Sequence, residues 1–512
     1  MSHSWIIRQV SEAGLNRLAQ LLSLKLAIGD MVALSGDLGA GKTTIARACL
    51  RALLGNAAAE VPSPTFSIVQ TYETQRLFIA HADLYRLSSR DEADELGLDE
   101  MLTRGALIVE WPENAAQLTA VSRLDIALSE SGDPMTRNVT LEGHGTWAPR
   151  LARLEAMSGF LDRSGVSPDA NVSYLQGDAS ARAYARTHLN GHSAIVMDSP
   201  RQPDGPAIRD GLPYSRIAHL AEDVRPFVAI AQVLSTAGLS APEIYCSDLE
   251  RGFLLLEDFG DGVFGQELAR GVPQELLWRQ GVDTLLALRA VPVPERFVLP
   301  DGLEYSIPLQ DRRALQIEVE LLVDWYWPAI NGNAAPAHAR DAFLSIWNAL
   351  FDQLLVLPQG WVLRDYHSPN LIMLPDRGGA RRTGLIDFQD ALRGPAAYDL
   401  VSLLQDARVD VPADLEEKLR EHYCAGAEAM DANFDRAAFE FSYAVLGAQR
   451  NTKILGIFAR LAKRDGKPGY LRHVPRLWDY LDRDLAHPDL AALKAWFAQH
   501  FPEASRQIVV KV

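Results

Sequence analysis

The sequence predicts an α/β nucleotide-binding domain followed by a second, two-lobed α+β domain, and three observations predict it. Gly36-Asp37-Leu38-Gly39-Ala40-Gly41-Lys42-Thr43 is a P-loop, set between a short apolar strand and a helix-periodic run. Far downstream, Arg364-Asp365-Tyr366-His367-Ser368-Pro369-Asn370 and then Ile386-Asp387-Phe388 carry the carboxylates and the amide that phosphoryl transfer to a hydroxyl requires. At 512 residues the chain exceeds what one core usually serves, so both have room.

Residues 1–147 alternate strand and helix signals. Met31–Ser35 is the strand entering the P-loop. Thr43–Leu54 places Ile45, Cys49, Leu50, Leu53 and Leu54 at helical spacing, with Gly55 as the stop. Phe78–Ala82, Leu107–Glu110, Leu124–Leu128 and Asn138–Glu142 read as further strands, the last two joined by a turn at Ser129–Met135. A boundary is expected at Gly145–Arg150, before a helix beginning near Ala152. Residues 151–262 then read as a small lobe. Its strands are Tyr174–Gln176, Ala183–Arg186 and Ala194–Met197, its turn Gly177-Asp178-Ala179-Ser180, and its helix Ala218–Thr236. An inner strand in Gly252–Gly260 leads out of it. From 263 to 512 helical patterns dominate around the catalytic loop and acceptor site: Leu276–Leu288, Arg313–Trp327 and Phe343–Leu357. Trp325, Trp327 and Trp361 read as core.

Composition excludes several functions. The net charge is −16, with 12 Lys/Arg against 18 Asp/Glu in residues 1–147 and 38 against 48 in the rest, so neither half is basic and any RNA contact would need a local patch or a partner protein. No apolar run reaches membrane-spanning length, and Met1–Val10 lacks a secretory pattern, so no membrane is expected. Cys49, Cys246 and Cys424 are widely separated, without metal-ligand spacing. Reduced structural thiols and a cytoplasmic location are expected.

A P-loop binds phosphate because small residues let backbone N–H groups converge on its oxygens. Lys42 adds a charge, Thr43 a hydroxyl for Mg²⁺, and the helix behind it a positive end. Val61-Pro62-Ser63-Pro64-Thr65-Phe66 is a stiffened loop whose hydroxyls can sense the terminal phosphate. His81-Ala82-Asp83-Leu84-Tyr85-Arg86-Leu87 and Leu107-Ile108-Val109-Glu110-Trp111 each end a strand with an acid suited to a metal or a water. These four segments together closely resemble TsaE, the small bacterial ATPase family of tRNA threonylcarbamoyladenosine formation, over nearly all of residues 1–145. The resemblance implies ATP hydrolysis with Mg²⁺, in service to protein subunits of the threonylcarbamoyl-transfer complex, with tRNA reached only indirectly. It implies an ATP cradle of Gly36, Gly39, Gly41, Lys42, Thr43 and Thr44. Thr65 becomes the switch residue, Asp83 and Glu110 the catalytic and metal-side acids, and Trp111 a neighbouring aromatic.

In the second half, Asp365 is suited to lie by the acceptor hydroxyl, while Asn370 and Asp387 are suited to hold Mg²⁺. Asp-Tyr-His-Ser-Pro-Asn, Ile-Asp-Phe-Gln-Asp and Tyr398-Asp399-Leu400 resemble the aminoglycoside phosphotransferase family. The expected fold class is therefore an α/β P-loop NTPase domain followed by a two-lobed α+β protein-kinase-like domain. Gly177-Asp178-Ala179-Ser180-x-Arg182-x-Tyr184-x-Arg186, Val196-Met197-Asp198-x-Pro200, Leu256-Glu257-Asp258-Phe259-Gly260 and Gln449–Phe458 sharpen the match. Together with Arg464-Asp465-Gly466-Lys467 and Tyr470, they resemble the bacterial N-acetylmuramate/N-acetylglucosamine kinases over about residues 152–490. That resemblance implies ATP-dependent phosphorylation of an amino sugar at its anomeric hydroxyl, in cell-wall recycling. ATP would meet Ser180, Arg182 and Glu257, and the sugar His367, Arg450, Asn451 and Lys453. Met197 stands where protein kinases carry a lysine, leaving Arg182 or Arg186 to meet phosphate, and Leu363 stands where many relatives have histidine. Asp399 is expected to hold the catalytic loop.

Two other readings compete. One makes the P-loop half an assembly module. The other makes the second half an antibiotic phosphotransferase, but a polycationic antibiotic wants an acidic pocket, whereas Arg450–Lys467 is basic.

Overall fold

A computed structural model of the chain describes residues 2–74, 76–87, 92, 94–115, 120–175 and 182–506. The expected turn at Gly177–Ser180 lies outside the described residues, as does Gln176.

A run of apolar residues with no alternation suits a parallel strand covered on both faces, and Met31–Leu34 is such a run. It forms the centre of β2 (Asp30–Gly36), flanked in parallel by β5 (Gly105–Glu110) and β6 (Ser122–Glu130). With β1 (Ser2–Ser11), β3 (Val69–Glu73), β4 (Phe78–Asp83) and β7 (Thr136–His144), these make a seven-stranded mixed sheet. Its order is β1-β7-β6-β2-β5-β4-β3. Period two sorts the side chains. Val32, Leu34 and Ile108 enter one core, and Met31, Leu107 and Val109 enter another with Leu84 and Leu98.

The first of these cores continues past the sequence expected to end the domain. Helices α1 (Glu12–Lys25) and α2 (Lys42–Leu54) cover that face, α3 (Leu98–Arg104) lies by the other core, and α4 runs from Trp147 to Arg163. The helix thus begins five residues before the expected start, inside the expected boundary. Pro149 falls in its first turn, where a missing N–H costs nothing. Trp147 is fully buried, and Leu151, Leu154, Met157 and Phe160 follow at helical spacing into the same core. That core also takes in Ala185 of β9 (Ala183–Leu189), Ala194 and Val196 of β10 (His192–Asp198), and Phe253 and Leu255 further along.

β9 and β10 belong to a five-stranded antiparallel sheet with β8 (Ser173–Leu175). A small hairpin follows, β11 (Ala207–Arg209) with β12 (Leu212–Pro213). The sheet is completed by β13 (Ile244–Asp248) and β14 (Phe253–Glu257), in the order β13-β14-β10-β9-β8. One compact unit accordingly comprises residues 1–200 and 244–258, and the other residues 201–243 and 259–512. The limit read from sequence between 147 and 151 falls inside the first unit, and the expected lobe 151–262 takes residues from both units.

Charged groups reinforce this union. Arg150 grips the buried Asp30 with two nitrogens, at 2.6 and 2.8 Å. Arg17 of α1 reaches Asp162 at 3.0 Å and the Ser167 carbonyl at 2.7 Å. Asp198, buried at the end of β10, accepts Lys25 at 2.6 Å on one oxygen and Arg153 at 2.6 Å on the other.

In the second unit, the expected helix Ala218–Thr236 is two pieces, Tyr214–Ile217 and Arg225–Thr236. His219 at φ 53° breaks it, and Pro226 can occupy only a first turn. Helices Gln274–Arg289 and Ala337–Leu354 match expectation in place. Arg312–Leu321 gives way to a π turn at Leu322–Tyr326 before Trp327–Asn331. The 29-residue helix Arg436–Arg464 is mostly buried and packs on Arg312–Leu321, on Ala397–Leu404 and on Val474–Asp484. Gly456 permits one of these approaches, since a Cβ there would stand 2.3 Å from the Leu321 backbone. Trp327 and Trp361 are buried and Trp325 is half-buried. Short hairpin pairs β15 (Phe297–Val298) with β16 (Glu304–Tyr305), and β18 (Leu371–Met373) with β19 (Thr383–Leu385), accompany β17 (Gln359–Val362), which pairs with β20 (Leu392–Pro395). Among the described residues no helix is long and apolar enough to cross a membrane.

Candidate active sites

The P-loop joins the end of β2 to α2, with Gly36, Gly39 and Gly41 at φ 134°, 79° and 108°. Gly36 is obligatory twice over, because a Cβ there would also lie 2.5 Å from the Leu128 carbonyl. Lys42, almost fully buried, donates to the carbonyls of Gly36 (2.6 Å) and Asp37 (2.9 Å) and lies 3.8 Å above the Trp111 ring. Burial lowers its pKa, while Glu110, Glu113, Asp83 and Asp37 pull the other way. Trp111 holds this place with φ 59°, a conformation rare for a bulky residue, and its ring centroid is 5.0 Å from that of Tyr85.

Parallel pairing of β4 and β5 sets Asp83 directly beside Glu110. Each acid has taken a hydroxyl. Thr43 donates to Glu110 at 2.8 Å, and Thr65 to Asp83 at 2.7 Å, with Ser63 2.7 Å from Thr65. Glu110 is also held by His81 Nε2 at 2.9 Å; His81 is fully buried and its Nδ1 has no partner. Thr44 follows on α2, half-buried. The oxygen donors here suit a hard divalent cation whose shell phosphate and water complete.

The second site is assembled around Asp365. It lines a cavity with Leu363, Tyr366, Asn370, Ile386, Asp387 and Phe388, among others. Asn370 Nδ2 donates to the Asp365 carbonyl (3.0 Å) and lies 3.4 Å from Asp387, whose other oxygen accepts Gln389 at 3.0 Å. Asp387 sits at φ 62° and Arg364 at φ 74°. Such backbone persists where its surroundings over-determine it. Here Asp399, buried, accepts the amides of Leu363 (2.6 Å) and Arg364 (2.9 Å). Burial pushes its pKa up to about 7 against the pull of those amides. Asp406 holds the loop further on, through the Ser368 amide at 2.8 Å. Phe388 stacks on Phe227, ring centroids 4.7 Å apart. Asp387 with Asn370 again offers oxygen ligands that would suit Mg²⁺. Among the described residues no group of three His, Cys, Asp or Glu is placed to hold a metal ion.

Residues 171–439 match the family described as phosphotransferase enzymes, and residues 9–139 match threonylcarbamoyl adenosine biosynthesis protein TsaE. The chain belongs to both families, each in its own stretch. The chain is 39% identical to the N-acetylmuramate/N-acetylglucosamine kinase of Caulobacter vibrioides over 364 residues, covering 69% of this chain and 98% of that protein. It is 32% identical to the kinase of the same name from Pseudomonas putida, covering 65% and 90%. The TsaE stretch is 39% identical to the TsaE of Rickettsia felis over 118 residues, covering 23% of this chain and 68% of that protein.

The structure brings the expected TsaE residues together and sets His81, which stands in a segment carrying the TsaE resemblance but was given no role, against Glu110. In the phosphotransferase stretch, Ser180 lies outside the described residues. Arg182 precedes β9, and Glu257 ends β14 opposite Ala194. Arg186 forms an ion pair with Asp258 at 2.6 Å. Met197 is buried in β10 between Tyr184 and Leu254.

The expected acceptor residues on helix Arg436–Arg464 are placed differently from expectation. Arg450 and Asn451 are buried, Arg450 donating to the Gln405 carbonyl (3.2 Å) and Asn451 to Gln405 (2.7 Å) and Asp484 (3.1 Å). Lys453 reaches Glu318 at 2.7 Å, and the same Glu318 oxygen accepts Arg364 at 2.5 Å. Burial alone would raise the Glu318 pKa, but Lys453 and Arg364 hold it at about 2. Lys453 thus steadies the residue before Asp365. His367 lies on the loop itself, its pKa lowered by burial against Asp406 and Asp365.

Proposed function

We propose that the chain runs two ATP reactions at separate sites. The TsaE domain hydrolyses ATP in support of threonylcarbamoyladenosine formation on tRNA, acting on the protein subunits of that transfer complex. The phosphotransferase domain phosphorylates N-acetylmuramate or N-acetylglucosamine at the anomeric hydroxyl, supplying sugar 1-phosphate to peptidoglycan recycling. The observation that carries the second assignment is the match to 98% of the Caulobacter kinase, with Asp365, Asn370 and Asp387 assembled around one cavity.

Each residue then has a task. Asp365 receives the proton of the sugar hydroxyl as its oxygen bonds to the γ-phosphorus and the β–γ bridge breaks, releasing ADP. Asp387 and Asn370 would hold Mg²⁺, which supplies charge neutralisation across the phosphates. Asp399 keeps the loop's backbone in its strained form. In the other site, Lys42 leaves its carbonyl partners for phosphate, and Thr43, Asp83, Thr65 and Glu110 stand ready for metal and water.

Purified protein with Mg-ATP and N-acetylmuramate is expected to yield an acid-labile sugar 1-phosphate, abolished by Asp365→Ala and retained in Lys42→Ala. Phosphorylation of kanamycin without phosphorylation of either amino sugar would overturn the assignment. Cells whose only TsaE is Lys42→Ala are expected to lose threonylcarbamoyladenosine from tRNA; normal modification there contradicts the first assignment.

A further inference from the structure

The break in the expected helix Ala218–Thr236 leaves two backbone groups to be satisfied elsewhere. In a continuous helix the Ala218 carbonyl would accept the amide four residues on, and the Ala221 amide would donate four residues back. Here the first piece ends at Ile217, His219 turns the chain at φ 53°, and side chains take both places. The buried Arg364 donates to the Ala218 carbonyl at 2.8 Å, and Asp390 accepts the Ala221 amide at 2.6 Å.

The residues that grip this strap come from the two catalytic segments. Arg364 immediately precedes Asp365, and its other terminal nitrogen lies 2.5 Å from Glu318. Asp390 follows Asp387 on the metal-binding segment. Between those two acids, Phe388 stacks on Phe227 of the helix that follows the strap, and Gln389 donates to Asp387. Asp390 also acts on Arg364 directly. Burial works against the charge of that guanidinium, but Glu318 and then Asp390 raise its pKa. Of the non-glycine residues with left-handed backbone, His219, Arg364 and Asp387 all belong to this network. Such backbone costs free energy and gathers where function fixes it.

We propose that Asp390 is a positioning residue for phosphoryl transfer, and that the Ala218–Ala221 backbone couples it to Arg364, fixing the spacing between Asp365 and Asp387. This rests on the phosphotransfer reading of that site. Asp390 acts by accepting a backbone amide, so an asparagine oxygen can replace it and an alanine cannot. A displaced metal-binding segment costs turnover before it costs sugar binding.

The test uses the full chain with Asp390→Ala and Asp390→Asn. A hydrogen bond to a charged group is worth about tenfold or more. Asp390→Ala is therefore expected to lower kcat for N-acetylmuramate phosphorylation by about that factor. It is also expected to raise the Mg²⁺ concentration needed for half-maximal rate, with the KM for sugar little changed. Asp390→Asn is expected to recover most of the rate. Equal loss in the two variants, or a loss confined to the sugar KM, overturns the proposal. Amide hydrogen exchange of the substrate-free chain gives a second readout that needs no acceptor. In Asp390→Ala, exchange is expected to quicken at Ala221 and across Leu363–Asn370, while helix Arg436–Arg464 keeps its protection. Unchanged exchange at Leu363–Asn370 overturns the coupling, and faster exchange throughout the second unit reduces Asp390 to a structural residue. Turnover of neither amino sugar by the unaltered chain counts against the sugar-kinase reading instead, and exchange then decides the inference.

Discussion

Lys25, in the last turn of the helix that packs on the P-loop helix, lies 2.6 Å from Asp198, at the end of the strand that carries Met197 of the five-stranded antiparallel sheet. The contact joins residues 173 positions apart. Arg153, from the helix between the two family matches, takes the other oxygen of the same carboxylate and stacks 3.9 Å over Phe253. One buried acid therefore ties three successive parts of the chain together.

Removing that acid is expected to be costlier than removing either base. Asp198→Ala leaves two cations facing each other without a partner and is expected to lose about 3–5 kcal/mol, whereas Lys25→Ala leaves Arg153 in place and loses less. Calorimetric melting of the full chain checks this. Equal melting temperatures for both variants would contradict the ranking.

His81 orients Glu110 from behind. With His81→Leu the carboxylate keeps Thr43 alone, and kcat for ATP hydrolysis is expected to fall about 10-fold or more with nucleotide affinity little changed. Steady-state hydrolysis beside fluorescent nucleotide titration separates the two. His81→Gln, which can still donate, should recover part of the rate.

Glu318 gives the second unit an acid-sensitive lock. Its folded pKa of about 2 lies below the ordinary 4.5, so its contribution is fully present above pH 4.5 and is lost as pH falls toward 2. Glu318→Gln is expected to flatten that part of the stability profile and to leave Lys453 and Arg364 uncompensated at neutral pH. Denaturation curves across pH 2–6 measure the first effect. The second appears as a fall in sugar-kinase kcat without a matching fall in ATP hydrolysis at the P-loop.

Asp399 holds two amides of a strained backbone. Asp399→Ala is expected to reduce sugar-kinase kcat by about 100-fold with a smaller change in KM, because loop geometry rather than substrate contact is lost. A purely KM effect would show that the residue acts on binding instead.

Much of both sites was legible because each lies in a short stretch whose chemistry is local. A P-loop, an acid ending a strand, and Asp365, Asn370 and Asp387 at fixed offsets announce themselves without tertiary context. The strand pattern was readable where burial on both faces removes polar residues, as in Met31–Leu34. β1 and β3 were not read, since β1 lies at one edge and β3 at the other, and their residues are at most half-buried. The boundary at Gly145–Arg150 was expected because it follows the last strand and precedes a helix, yet Trp147 within it is buried in the shared core. Arg450, Asn451 and Lys453 had the polarity of an acceptor surface. Only packing shows that Gln405, Asp484 and Glu318, distant in sequence, occupy them.

The continuous core has an evolutionary consequence. Because Trp147, Phe160, Phe253 and the P-loop helix share one interior, a gene cut at the family boundary would leave each product with an unfinished apolar face. Selection for the phosphotransferase stretch alone would therefore keep the fold of the neighbouring P-loop stretch intact.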